Sequence, residues 1–113
     1  MRKTFLAVAV SLIMVYCQPA QAATQACSTA AHNAGVLYSL WVGSENTEED
    51  VRRLHYSIVS SGLPTSQIVA LVRGLAYLAR RAELGEPIVP QEHFVHAVYK
   101  TCEAVEIQDG TAI

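Results

Sequence analysis

Apolar residues recur every three or four positions along most of the chain after residue 25, a period typical of amphipathic α-helices. In the first such segment, 26–42, Val36, Leu37 and Leu40 widen the stripe, and Gly43 follows as a residue that commonly ends helices. Three of the stripe positions are alanines, so we expect another helix to approach this face closely. The stripe consists of Cys27, Ala30, Ala31, Ala34, Tyr38 and Trp41.

The second predicted helix has the clearest start signal in the chain. Thr47 can accept hydrogen bonds from the first free amides, and Asp50 stands at the reciprocal position of a capping box. The acidic run 48–50 also complements the positive end of the helix dipole. The segment 60–62, Ser-Ser-Gly, ends the helix. We expect its buried face to contain Val51, Leu54, Ile58 and either His55 or Val59.

A third and longest helix is predicted after the connector Leu63-Pro64, capped by Thr65 or Ser66 and continuing through Leu84. Gly74 lies inside it, at a cost of about 1 kcal/mol relative to alanine. A close helix crossing at Gly74 would explain that cost. The predicted core positions of this helix are Ile68, Leu71, Val72, Leu75, Leu78, Ala79 and Ala82.

The fourth predicted helix begins with Pro90, where a missing amide hydrogen does no harm. The helical spacing of apolar residues ends after Glu106, so residues 107–113 are interpreted as a flexible C-terminal tail. The apolar face of this helix consists of Phe94, Val95, Val98, Cys102 and Val105.

Four helices with short connections predict an all-α fold, a small antiparallel bundle in which neighbouring helices alternate in direction. The start of the first helix and the end of the fourth then lie at the same end of the bundle. Cys27 and Cys102 occupy those two places, which favours a disulfide between them over two buried free thiols. In the chain-entropy treatment, closing a loop of this size contributes about 4 kcal/mol.

Residues 1–22 have the pattern of a signal peptide. A basic start, Arg2-Lys3, precedes an apolar run, 5–16, and the small residues of Ala20-Gln21-Ala22 predict cleavage after Ala22. The run is shorter than the ~20 residues that span a bilayer, which disfavours a retained anchor. Acylation of Cys17 is disfavoured by the bulky Tyr16 before it. We therefore expect a periplasmic or secreted protein that meets the membrane only through its leader before cleavage.

Cleavage would remove 22 of the 113 residues and leave 91, with one domain at 23–106 and two cysteines. The mature chain would carry six basic and ten acidic residues, a formal charge of minus four. An even cysteine pair in an exported chain favours a disulfide. The acidic balance argues against nucleic-acid binding, which normally requires a concentrated basic patch.

No pattern of catalytic residues is present, and we expect neither an enzyme nor a cofactor. Both mature cysteines are assigned to the bridge, and no nucleophile elbow or phosphate loop occurs. His93 and His96 are three residues apart on the fourth helix and are weak candidates for metal or small-ligand binding. Glu92, Tyr99 or Glu103 could add an oxygen ligand. A surface or boundary position is the alternative for both histidines.

Arginine and tyrosine cluster on two predicted helices, which favours binding to another protein. The alternative is a solvated face held by cation-π contacts of about 0.5 to 1 kcal/mol. On the second helix the residues are Arg52, Arg53 and Tyr56, and on the third they are Arg73, Tyr77, Arg80 and Arg81.

At the level of class, the chain has the features of a known group of proteins, namely a leader ending in Ala20-Gln21-Ala22, a helical core, Cys27 and Cys102. It resembles the small helical periplasmic immunity proteins that protect bacteria from secreted amidase effectors. The resemblance implies docking of a loop or helix end onto a partner enzyme, and it also allows a homodimer. The candidate docking elements are the loop 46–49 and the arginine-tyrosine faces.

A periplasmic stress chaperone that unfolds or dissociates in acid is a second hypothesis, since those proteins are also small, helical and disulfide-bonded. The mature chain lacks the dense charges that keep such chaperones soluble when protonated.

Overall fold

The structure is a computed structural model that describes residues 25–108, and this part of the chain contains four α-helices and no strand. Helix α1 covers 25–42, α2 Glu48–Val59, α3 Thr65–Glu83 and α4 Gln91–Gln108. The predicted signal peptide lies outside the described residues. Helix α4 continues two residues into the predicted tail, and residues 109–113 of that tail also lie outside.

The helices form an antiparallel bundle. Cys27 in α1 is joined to Cys102 in α4 at one end, and at the other end the Tyr38 hydroxyl donates to the Val89 carbonyl at 2.6 Å, just before α4 begins. Helix α3 also runs opposite to α4, because the Ser66 hydroxyl donates to the Glu106 carboxylate at 2.9 Å. The predicted all-α bundle is therefore confirmed.

The disulfide between Cys27 and Cys102 is present, as predicted. Their Cα atoms are 5.5 Å apart, well within the range that a disulfide requires, and 75 positions separate them in sequence. Both residues are completely buried. The bridge therefore joins the first and last helices from within the core.

The core lies along the axis of the bundle and draws on all four helices. Trp41 of α1, Leu75 and Leu78 of α3, and Phe94 and Val98 of α4 are its largest buried side chains. Some predicted positions of the buried faces are wrong, because Val36, Leu40, Ala82 and both alternatives on α2, His55 and Val59, are exposed. Ala82 belongs to a last turn of α3 that extends beyond the core. His55 lies about 100° around α2 from Leu54, and Val59 lies about 100° from Ile58, which places both outside the buried face.

The capping box predicted for α2 is confirmed: Thr47 Oγ1 accepts from the Asp50 amide and Asp50 Oδ2 accepts from the Thr47 amide. The cap predicted for α3 is wrong. Pro64 occupies that position and makes no side-chain cap, while Ser66 is buried and bonded to Glu106. Helix α3 ends at Glu83, and α4 begins one residue after Pro90, whose carbonyl accepts from the Phe94 amide.

No helix within residues 25–108 is both long enough and apolar enough to cross a membrane.

Candidate partner-binding site

An open groove of about 280 Å³ runs between α3 and α4, and we call it the α3–α4 groove. It exists because the helices meet at Gly74, which has no side chain to fill the surface above the crossing. A Cβ atom at Gly74 would lie 3.0 Å from Phe94 Cζ and 3.0 Å from Val98 Cγ2, which confirms the close crossing predicted there. The groove is lined by Ala70, Arg73, Gly74, Tyr77, Val89, His93, Phe94, Ala97, Val98 and Thr101.

Arg73 and Tyr77 line the α3 side of this groove, and Arg80 follows on the same side of α3 just beyond the groove lining. We call these three residues the arginine edge. Arg73 and Arg80 are seven residues apart, so they lie two turns apart on one side of the helix with Tyr77 between them. All three are exposed. Within residues 25–108 neither arginine makes an ion pair or a side-chain hydrogen bond. The other basic side chains of that range, Arg52, Arg53, Arg81 and Lys100, are all in ion pairs.

Arg81, predicted as part of the same partner surface, has an internal role instead. Its Nε and Nη2 atoms donate to the Pro87 carbonyl at 3.0 and 2.8 Å, and Nη1 lies 3.0 Å from the Glu86 carboxylate. The guanidinium carbon is also 5.7 Å from the centre of the Tyr77 ring. Arg81 therefore ties the connection between α3 and α4 back onto α3 and holds one side of Tyr77 in place.

The arginine-tyrosine surface of α2 is separate from the α3–α4 groove, which no α2 residue lines. Arg52 pairs with Glu49 at 2.6 Å, and Arg53 pairs with Asp50 at 2.7 Å. Tyr56 is 69% exposed. The structure thus divides the predicted partner residues into two surfaces. On α2 acidic neighbours balance the positive charge, and on the arginine edge they do not.

The loop between α1 and α2 is held by its own polar groups. Asn46 has a positive φ of 56°, and its amide Nδ2 donates to the Trp41 carbonyl at 2.8 Å. Asp50 Oδ2 accepts from the amides of Glu45 and Thr47 at 3.1 and 3.0 Å. The loop 46–49 is therefore presented in a fixed shape.

The pKa of Asp50 is lowered from its ordinary value of 3.8, first by the Thr47 amide hydrogen bond, then by the Thr47 hydroxyl and by Arg53. Burial of the carboxyl acts in the opposite direction and is outweighed. The carboxylate is thus favoured in its charged form by the same contacts that shape the loop.

The two histidines proposed for metal binding line different grooves of the bundle. His93 lines the α3–α4 groove, whereas His96 lines a second groove with Ala31 of α1. Their positions are about 60° apart around the helix axis, so they project from similar directions but border different neighbouring helices. Across residues 25–108, no three side chains of His, Cys, Asp or Glu type are grouped so that they could hold a metal ion.

Two features of the groove were missed in the sequence. His93 lines the groove from α4, and Ala97 and Thr101 continue that side. The sequence pattern that could have predicted the groove is the four-residue spacing of small residues on both helices, Ala70 with Gly74 and Ala97 with Thr101. Such spacing lets helices approach closely and leaves little side-chain volume to cover the crossing.

Comparison with protein-family models, with curated protein sequences and with solved structures gave no match. The likeness to immunity proteins therefore rests on general features and on no shared sequence or fold match. At the level of class, the chain is a small all-α protein closed by one buried disulfide.

Proposed function

We propose that this chain is a small exported protein-binding protein of the immunity or inhibitor type, which docks on a partner enzyme through the α3–α4 groove. The observation that carries the proposal is the arginine edge. There, two exposed guanidinium groups that have no acidic partner among residues 25–108 lie on either side of a tyrosine, next to an apolar groove. Arginine and tyrosine contribute much of the binding energy in protein interfaces because they combine a large contact area with directional hydrogen bonds.

The chemistry of the groove indicates which partner surface would fit. Phe94, Val98 and Ala97 offer an apolar floor for one side chain of the partner. Arg73 and Arg80 offer planar donors that bind carboxylates in bidentate geometry. The matching surface is an acidic segment that carries an apolar side chain. The prearranged loop 46–49 is a second contact element, and its fixed shape lowers the ordering cost of binding.

The test is capture from periplasmic extract of the source cells, with the purified protein as bait and mass spectrometry of the bound fraction. The expected result is one stoichiometric partner. The double variant Arg73→Ala/Arg80→Ala should reduce its capture at least about tenfold, since each lost charged contact at an interface costs ~1 to 2 kcal/mol. Arg52→Ala is the matched control, because it removes an exposed arginine of α2 that is already paired with Glu49.

Two results would overturn the proposal. Capture of no stoichiometric partner at neutral pH would remove the inhibitor function, and capture of many clients only in acid would favour the chaperone hypothesis. If a single partner were bound equally by wild type and by the double variant, the partner function would stand and the arginine edge would not be its site.

A further inference from the structure

A recess of about 540 Å³ opens at the end of the bundle opposite the disulfide, and we call it the end pocket. It lies between the loop that follows α1 and the connection that follows α3. Its floor includes Trp41 and Leu78, each 2% exposed. The end pocket shares no lining residue with the α3–α4 groove, so the proposed partner site does not use it.

Both walls of the end pocket are fixed by polar contacts. Asn46 Nδ2 donates to the Trp41 carbonyl at 2.8 Å, which holds the loop after α1. On the opposite wall, Arg81 donates to the Pro87 carbonyl and pairs with Glu86 at 3.0 Å. Walls that are already ordered lose little conformational entropy when a ligand binds. The volume also lies within the ~300 to 1,000 Å³ range of small-molecule sites.

Trp41 brings an unused hydrogen-bond donor to this pocket. Its indole N–H donates to no acceptor within residues 25–108, although the side chain is almost completely buried. Among the side-chain nitrogen and oxygen atoms of the buried and half-buried residues in that range, only Gln67 Oε1 is fully enclosed without a partner. The Trp41 nitrogen is therefore not enclosed, and the open space that Trp41 lines is the end pocket. Because a buried indole N–H usually has a partner, this donor points to an oxygen acceptor on a ligand.

The end pocket has one negative charge in excess. Its lining residues include two carboxylates, Glu45 and Glu86, one guanidinium, Arg81, and no other ionisable side chain. Arg81 and Glu86 pair with each other. The exposed Glu45 carboxylate makes no ion pair and no hydrogen bond within residues 25–108. The unbalanced charge favours a ligand with one positive charge.

We propose that the end pocket binds a small organic cation that combines an ammonium group, an oxygen acceptor and an apolar group. The ammonium group pairs with the Glu45 carboxylate, and the oxygen accepts from the Trp41 indole N–H. The apolar group contacts Leu78 and Ile88. Such a ligand occupies the unused donor and balances the excess charge, whereas an anion or a hydrocarbon does neither. Amino alcohols have this composition.

Trp41 is the single tryptophan of the chain, so its fluorescence reports directly on the end pocket. The experiment is a titration of the purified protein with phenylalaninol at neutral pH and constant ionic strength, with excitation at a wavelength that tyrosine does not absorb. The expected result is a saturable change in emission with a Kd of about 1 mM or below, an affinity that ligands of this size reach.

Two fragments of the probe test its polar groups separately. Phenethylamine keeps the ammonium group without the oxygen, and hydrocinnamyl alcohol keeps the oxygen without the ammonium group. Each should bind at least about threefold more weakly than phenylalaninol, because each loses one of the two polar contacts.

Glu45→Gln should raise the Kd for phenylalaninol at least about threefold, since it removes the unbalanced charge. Glu48→Gln is the matched control, because it removes an exposed carboxylate that does not line the pocket, and it should bind as wild type does. Ala82→Phe places a ring at an exposed position of the pocket wall and should abolish the saturable change. Far-UV circular dichroism confirms that each variant is folded.

Three results would overturn the proposal. The first is emission that does not saturate with phenylalaninol. The second is a fragment that binds as tightly as phenylalaninol, and the third is a folded Glu45→Gln or Ala82→Phe variant that binds it as tightly as wild type.

Discussion

Gly74 of α3 lies directly against Phe94 of α4, so that a methyl group on Gly74 would be 3.0 Å from Phe94 Cζ. Val98 Cγ2 would lie 3.0 Å from the same methyl group. Phe94 and Val98 are almost fully buried. The contact fixes the distance between the two helices and leaves the α3–α4 groove open above them.

We expect Gly74→Ala to lower the free energy of unfolding by about 1 kcal/mol. Overpacking a core typically costs ~1 to 3 kcal/mol, and the higher helix propensity of alanine offsets about 1 of it. Gly35→Ala is the matched control, because a Cβ there would lie 3.5 Å from Gln91 Nε2, an ordinary contact. It should stabilise by up to about 1 kcal/mol. Urea unfolding measures the free energy of unfolding of both variants. Equal stabilisation by Gly74→Ala and Gly35→Ala would contradict the close crossing at Gly74.

Replacing both bridge cysteines, Cys27→Ala/Cys102→Ala, is expected to destabilise the protein by about 4 kcal/mol. The closed loop spans 75 positions, and its loss returns conformational entropy to the unfolded chain. Urea unfolding of the variant, compared with oxidised wild type, measures the difference. A loss below about 1 kcal/mol would mean that packing alone determines the bundle.

The stability of the protein should fall in acid through Asp50. Its folded pKa is below the ordinary value of 3.8, so its contribution is complete above that value and is lost as the pH falls through the lower, folded pKa. Asp50→Asn removes this titration with little change in size. Unfolding free energies of both proteins, measured between about pH 6 and about pH 2, should differ most at the higher pH and converge in acid. A constant difference would contradict the assignment.

Gln67 is a polar side chain in the core, and its Oε1 atom is buried without a hydrogen-bond partner. Gln67→Met keeps the shape of the side chain and removes the unsatisfied oxygen. We expect a gain of about 1 kcal/mol, since an unpaired buried acceptor costs ~1 to 3 kcal/mol. Gln67→Glu is the contrasting variant, which places a carboxylate at the same site and should destabilise at neutral pH. Thermal unfolding of Gln67→Met and Gln67→Glu distinguishes the effect of the polarity of this side chain from the effect of its packing.

Features that depend on residues close in sequence were predictable. The Thr47–Asp50 cap spans three residues, and the periodic stripes determine most of the core. The Cys27–Cys102 bridge was predicted from the even cysteine pair of an exported chain, and the predicted topology agreed with it, because four short-linked helices bring those ends together. Gly74 correctly predicted the close helix crossing, because a glycine inside a long helix is unfavourable unless it lets another helix pack closely.

Features that depend on distant partners were not predictable. Ser66 has the residue type and position of a helix cap, yet its hydroxyl reaches Glu106, forty residues away. Arg81 shares its local pattern with Arg73 and Arg80, but only Arg81 meets the chain as it turns at Pro87. The separation of His93 from His96 likewise depends on which neighbouring helix lies on each side of α4. A one-dimensional pattern contains none of these contacts.

The buried disulfide also sets an order of events in the maturation of the protein. Cys102 is synthesised 75 positions after Cys27, so this bridge cannot form until most of the helical segments have been made. Once the bundle has closed, neither sulfur is open to an oxidant or a reductant. Oxidation therefore belongs to the interval between delivery of α4 and completion of packing, and a mature molecule should keep its redox state for as long as it stays folded.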